Sequence, residues 1–265
     1  MNLLFSFQIS FLLFFVPAWF ANPVDPGIIR ARHTYFDVDN LGNVYTVNSE
    51  ELFKYLPNGK LHTRYSNLKL GSITSVDVSN PLKILLYYRD FQQLVFLDNQ
   101  LSVNSDVVSL ERLGLEQAEL VCTSANNSFW VYNKQNNELL RFDENGRRIA
   151  STGNLKQVLQ ANLAPNFMIE YNGFLFLNSP ATGIYVFDMF GAFSKVISIA
   201  SLTYFQPKEN LIYYQKNASI CSYDHRLFDE ACSGIVLQDS NSVLRFQNEQ
   251  VYIGNKDSVV IQTLK

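Results

Sequence analysis

The chain has 265 residues and a formal net charge of -3, with 47% hydrophobic and only 17% charged residues. A mildly acidic chain without a basic stripe excludes a nucleic-acid binder, which must neutralise phosphates. The absence of any long run of like charges excludes a solvated tail. Its 21 Phe and 14 Tyr lean the composition toward half-buried β-strands.

The first segment is a separate object. Residues 3–20 carry no charge, are rich in Phe and Leu, and end on Val16-Pro17-Ala18 and Ala21. Small residues there suit a signal peptidase, so residues 1–21 are predicted to be an export signal, cut after Ala18 or Ala21. The n-region, Met1-Asn2, has no Lys or Arg, and an uncleaved anchor is the alternative. The expected location is periplasmic or secreted, with no membrane span after cleavage and residues 22–265 as a single domain.

Downstream, a short motif recurs: an apolar residue, two spacers, an aromatic or aliphatic residue, then often Asp. It occupies 94–98, 139–143, 184–188 and 220–224, with weaker copies at 52–57 and 259–262. Each copy follows a second strand-like run, at 43–48, 83–88, 129–133, 173–178, 210–215 and 250–254. A first run precedes each of those, at 35–39, 75–78, 119–122, 166–170, 203–206 and 243–247. A fourth follows three of the motifs, at 61–65, 148–152 and 195–199; Asn58-Gly59 and Asn145-Gly146 mark two of the intervening hairpins. Six repeats of four strands have the period of propeller blades. The predicted fold is therefore all-β: a six-bladed β-propeller with four antiparallel strands per blade. The last copy has three strands, and residues 27–32 form an unpaired run that can complete it and close the ring.

The stretch Asp39-Asn40-Leu41-Gly42-Asn43-Val44-Tyr45-Thr46-Val47-Asn48, followed by Tyr55-Leu56-Pro57-Asn58-Gly59-Lys60, resembles the NHL-like and TolB-like repeats of six-bladed propellers. The resemblance covers nearly all of the mature chain at the level of fold and implies a rigid ring with a central channel. Some propellers of this kind that hydrolyse lactones or organophosphates hold calcium there.

The innermost runs carry Asp37, Asp77, Glu170, Gln206, Arg245 and Gln247, of which Asp37, Asp77 and Glu170 are the candidate metal ligands. The bland reading of these residues is tunnel lining or satisfied polar groups. Asp37 and Asp39 begin a segment superficially like a calcium loop, without its later Glu, and a hairpin turn explains it better. His33, His62 and His225 form no zinc pattern, and no nucleophile elbow or phosphate loop occurs. No catalytic residue and no cofactor is predicted.

Cys221 and Cys232 flank a polar turn that places them opposite each other, at disulfide reach in an oxidising compartment. Cys122 reads as a small buried hydrophobe. Asn126 and Asn217 begin glycosylation sequons that matter only in a eukaryotic source. The adjacent pairs Tyr87-Tyr88 and Tyr213-Tyr214 are expected to bury both faces of their blades. The expected function is a non-enzymatic protein-interaction scaffold of the cell envelope, an accessory of outer-membrane assembly or secretion machinery, acting as a monomer within a complex. The alternatives are a calcium-dependent hydrolase or lyase with its site at the channel, and a carbohydrate-binding propeller.

Overall fold

The computed structural model describes residues 27–217, 219–233 and 242–263. The expected signal, 1–21, lies outside the described residues, as does Ala218 of the second sequon. The described chain forms six four-stranded antiparallel sheets around a central channel.

β1 (Gly27–Arg30) comes first in sequence. Blade I is β2 (Tyr35–Val38), β3 (Val44–Asn48), β4 (Glu51–Tyr55) and β5 (Leu61–Ser66). Blade II is β6 (Ser75–Asp77), β7 (Ile84–Tyr88), β8 (Gln93–Leu97) and β9 (Val108–Ser109). Blade III is β10 (Ala118–Thr123), β11 (Phe129–Asn133), β12 (Glu138–Phe142) and β13 (Arg148–Asn154). A one-turn helix, α1 (Leu155–Leu159), leads to blade IV: β14 (Phe167–Tyr171), β15 (Phe174–Ser179), β16 (Gly183–Asp188) and β17 (Phe193–Ile197). Blade V is β18 (Gln206–Lys208), β19 (Leu211–Lys216), β20 (Ser219–Asp224) and β21 (Asp229–Cys232). Blade VI is β22 (Val243–Gln247), β23 (Gln250–Gly254) and β24 (Ser258–Thr263), completed by β1.

Ring closure is a main-chain event. β1 pairs antiparallel with β24, Gly27 opposite Ile261 and Arg30 opposite Ser258. Ile29 is thereby buried with Phe36, Val44, Tyr252 and Val259 between blades VI and I. Gly254 permits the close approach there: a Cβ on it would lie 2.2 Å from the Phe36 ring.

Alternate residues of a strand point to opposite faces, so a middle strand feeds two interfaces at once. Tyr87 packs with Leu94, Phe129 and Val131 between blades II and III. Its neighbour Tyr88 packs with Tyr45, Leu52 and Leu86 between blades I and II. Tyr214 is buried between blades IV and V, while Tyr213 stays half-buried beside Phe246, 5.9 Å between ring centroids.

The recurrent Asp is a turn device. Asp98, Asp143 and Asp188 each accept the backbone N–H of the residues two and four positions on, at 2.8–2.9 Å. The side-chain oxygen adds to the main-chain carbonyl of the same Asp, which accepts the N–H three positions on. Asp39 does the same for Leu41 and Asn43, and also accepts from Asn43 Nδ2 and Tyr45 OH. A second device uses cations two residues before that position. Lys54 Nζ donates to Asn99 O of blade II at 2.8 Å, and Arg141 Nη1 donates to Met189 O of blade IV at 3.0 Å. Each is a buried cation whose aliphatic stem packs within a blade while its head satisfies the next blade's turn.

Two differences from the sequence-based expectation have physical causes. The first strand of blade V, expected at 203–206, forms at Gln206–Lys208. Tyr204 and Phe205 leave the ladder because their rings are used elsewhere: Phe205 is fully buried against Phe167 and Phe176, and Tyr204 turns into the channel. The outer strands β9 and β21, which no apolar run marked, complete blades II and V. In blade V, Cys221 and Cys232 face each other in register and are bonded.

Two outcomes test this packing. Replacing Ile29→Ala removes most of the side chain that seals closure and is expected to cost about 2–4 kcal/mol in urea unfolding. Cys122 is buried and its thiol is pushed well up by that burial. Native protein at neutral pH is expected to take up no iodoacetamide, and denatured, unreduced protein one equivalent, both read by mass spectrometry.

Candidate functional site

All six inner strands or their leading residues contribute to one cavity of about 650 Å3 in the channel. Of the residues expected there, Asp37, Asp77, Gln206, Arg245 and Gln247 line it. Glu170 turns away toward blade III: it accepts Ala125 N at 3.0 Å, Trp130 Nε1 at 2.7 Å and the Ser124 hydroxyl.

The polar side chains of the inner strands are clips between blades. Asp77 of blade II accepts both Thr123 N and Thr123 Oγ1 of blade III, at 2.7 and 2.8 Å, and its other oxygen accepts Ser79 N at 2.9 Å. Gln206 of blade V pairs with the main chain of Phe246 in blade VI, accepting its N–H at 2.7 Å and donating to its carbonyl at 3.1 Å. Gln247 of blade VI donates to Asn40 O beside blade I at 3.3 Å. These amide and carboxylate bonds join inner edges that a propeller cannot pair by its own ladders.

Asp37 is the hub of the most elaborate clip. Its carboxylate accepts Tyr35 OH and Val38 N at 2.9 Å, and Tyr204 OH and Arg245 Nε at 3.2 Å. The Arg245 and Asp37 side chains are 4% and 12% exposed. The guanidinium lies 3.5 Å from the Tyr204 ring centroid and within 5.6 Å of the Phe36 and Tyr35 centroids. Burial pushes the Asp37 carboxyl above its ordinary value, while Arg245, the Val38 amide and the Tyr35 hydroxyl each pull it back. Burial, with Asp37 alongside, also raises both tyrosines, which stay protonated donors. Tyr204 had no sequence signal as a channel residue, since its run reads as a strand; a Thr-Tyr-Phe run shortly before Pro207 was the available hint.

Asp37, Asp77 and Glu170 thus reach three different sets of protein donors. Among the described residues, the acidic, imidazole and thiol groups that converge within 4.8 Å are Cys221, Glu230 and Cys232, on the rim of blade V, where the two sulfurs are bonded to each other. Each histidine has a protein partner: His33 Nδ1 lies 2.8 Å from Ala31 O, His62 Nε2 3.0 Å from Gln100 Oε1, and His225 Nδ1 2.9 Å from Lys195 Nζ of blade IV.

No protein-family model and no curated protein sequence matches this chain. Solved structures do share its fold. A catalytically inactive virginiamycin B lyase from Staphylococcus aureus with quinupristin is 12% identical, with a TM-score of 0.58 over 87% of this chain and 80% of the lyase. A streptogramin B lyase is 15% identical, with a TM-score of 0.57 over 85% of this chain and 77% of the other. BBS1N in complex with ARL6DN is 9% identical, with a TM-score of 0.53 over 84% and 75%. At such identities the likeness is one of fold, and the channel chemistry rests on this chain's own residues. Removing one member of the Asp37–Arg245 pair strands a buried charge. Arg245→Leu is expected to cost about 3–5 kcal/mol in urea unfolding, and the double variant with Asp37→Leu to recover much of that, a coupling a double-mutant cycle measures.

Proposed function

We propose that this chain is an exported, non-enzymatic interaction scaffold of the cell envelope, binding a protein partner through one end of the ring. Because strands alternate in direction, the turns joining first to second and third to fourth strands emerge together at that end. The observation that carries the reading is what stands on those turns. Leu227 and Phe228 tip the blade V hairpin at 76% and 78% exposure, and Phe190 tips that of blade IV at 70%. Leu41 and Leu82 stand on the corresponding turns of blades I and II, both exposed. A hairpin tip gains nothing for the fold from a solvent-facing Phe; equivalent turns elsewhere carry Asn58-Gly59 and Asn145-Gly146. Exposed apolar groups gathered on one face are the usual mark of an association surface.

Export is supported by the apolar, uncharged leader sequence and by the Cys221–Cys232 bond, which persists in oxidising compartments. The partner class is envelope or outer-membrane machinery, with this chain as a monomer within the complex. A protein of the same fold, BBS1N, was solved in complex with ARL6DN, so the architecture is compatible with such use.

A channel hydrolase or lyase is the second reading, favoured by the cavity and by the two lyases among the fold neighbours. Calcium would require several oxygen ligands converging on one point, whereas the carboxylates of Asp37 and Asp77 are each engaged by protein donors.

Affinity purification of tagged protein from solubilised envelopes tests the scaffold. A stoichiometric partner is expected to co-elute with wild type. The triple variant Phe190→Ser, Leu227→Ser, Phe228→Ser is expected to melt at an unchanged temperature and to retain less than about a tenth of that partner, because truncating a central anchor of an interface costs about 2 kcal/mol or more. Elution alone, or retention by the triple variant, overturns the assignment of this face.

A further inference from the structure

We propose that the channel cavity binds a small organic anion with an aromatic or branched apolar body. Such binding is independent of the turn surface and concerns the ring's interior.

The cavity's volume, about 650 Å3, lies within the range of clefts that enclose small organic ligands. The wall includes half-buried Tyr35, Phe167, Ile169 and Tyr204, so an apolar body would displace water from surface the fold has already partly dried. Phe167 and Tyr204 pack against each other at a tilt of 48°, ring centroids 4.7 Å apart, and both line the cavity.

The sign of the ligand's charge follows from which polar groups are already satisfied. The acids of the cavity are engaged: Asp37 accepts four hydrogen bonds and Asp77 three. Glu119 accepts Lys134 Nζ at 3.1 Å. The cations are not. Among the described residues, Arg89 donates from its guanidinium only to Glu119 O, at 3.1 Å. Arg245 donates from Nε to Asp37 and from Nη1 to Leu244 O, and among the described residues the Lys256 ammonium has no acceptor. Arg89 and Lys256 are exposed, in loops that line the cavity, while Arg245 lies buried in its wall. An entering anion would therefore find open donors, strengthened by the low-dielectric wall, whereas the carboxylates of Asp37 and Asp77 already accept several protein donors.

Naphthoate and naphthylmethanol, which share a ring system and differ in charge, test this by isothermal titration and ligand-observed NMR. Naphthoate is expected to bind saturably at one site, about tenfold or more tighter than the alcohol, a difference of roughly 1.4 kcal/mol. In the double variant Arg89→Ala, Lys256→Ala that preference is expected to fall severalfold and to lose most of its salt dependence. Ile169→Trp, which fills the cavity from its wall, is expected to abolish binding; thermal unfolding reports whether that variant folds, and the rim pair decides the matter if it does not. Equal affinity for both compounds, no saturable binding of naphthoate, or a charge preference unchanged in the rim variant overturns the proposal.

Discussion

A four-stranded blade has two apolar faces and can cover neither by itself, and the rest of the molecule follows from that constraint. It makes the sheets stack around an axis, since only a closed ring leaves no blade with a bare face. It also explains why adjacent aromatic residues are tolerated in the middle strands. Tyr87 and Tyr88 are neighbours in sequence but belong to different interfaces, one on each side of blade II. The same rule makes closure decisive: without β1 on β24, Ile29 would leave the seam between the last blade and the first, and two faces would open together.

Polar residues obey the same geometry. Inner strands converge on the axis, where main-chain ladders of one blade cannot reach those of the next. Side chains bridge that gap: Asp77 to Thr123, Gln206 to Phe246, Gln247 to Asn40, Asp37 to Arg245. The outer turns are joined by Lys54 and Arg141, which occupy equivalent third-strand positions and donate to equivalent carbonyls, after Asp98 and Asp188. A repeat protein thus repeats its polar fasteners as well as its apolar core, with substitutions of one cation for another. Polar groups on an inner strand are accordingly weak signals of chemistry, because the architecture has its own demand for them.

That demand accounts for what was legible in the sequence. The spaced Asp residues were legible because each fixes a turn through its own side chain, so the residue type is dictated locally. Middle strands were legible because burial on both faces leaves an unbroken apolar run. The outer strands of blades II and V were not: Val108–Ser109 is two residues long, and Asp229–Cys232 is exposed throughout and carries no alternation. Nor could the pattern tell Asp37 from Glu170. Both sit on inner strands, but one lines the cavity and the other bonds Trp130 and the turn of blade III, a choice made by neighbours more than 30 residues away. Tyr204 was hidden for the converse reason, since its local pattern is that of a strand and its place is decided by Arg245 and Asp37.

Apolar and polar fastening meet in the cluster around Arg245. Among the described residues, the apolar cluster between blades V and VI is the smallest of the six, built on Ile220, Leu244 and Val251. Next to it Tyr204, which precedes blade V, reaches past Arg245 of blade VI to Asp37 of blade I. One polar network therefore ties three consecutive blades beside that cluster. A buried ion pair seldom adds much net stability over an apolar replacement, but it tolerates few alternative arrangements, since any slip strands a charge. Placed beside the closing seam, such a pair favours one register of blade VI against blade I over its neighbours. It also leaves a guanidinium edge in the channel wall, so the device that selects how the ring closes supplies the charge by which its interior can recognise an anion.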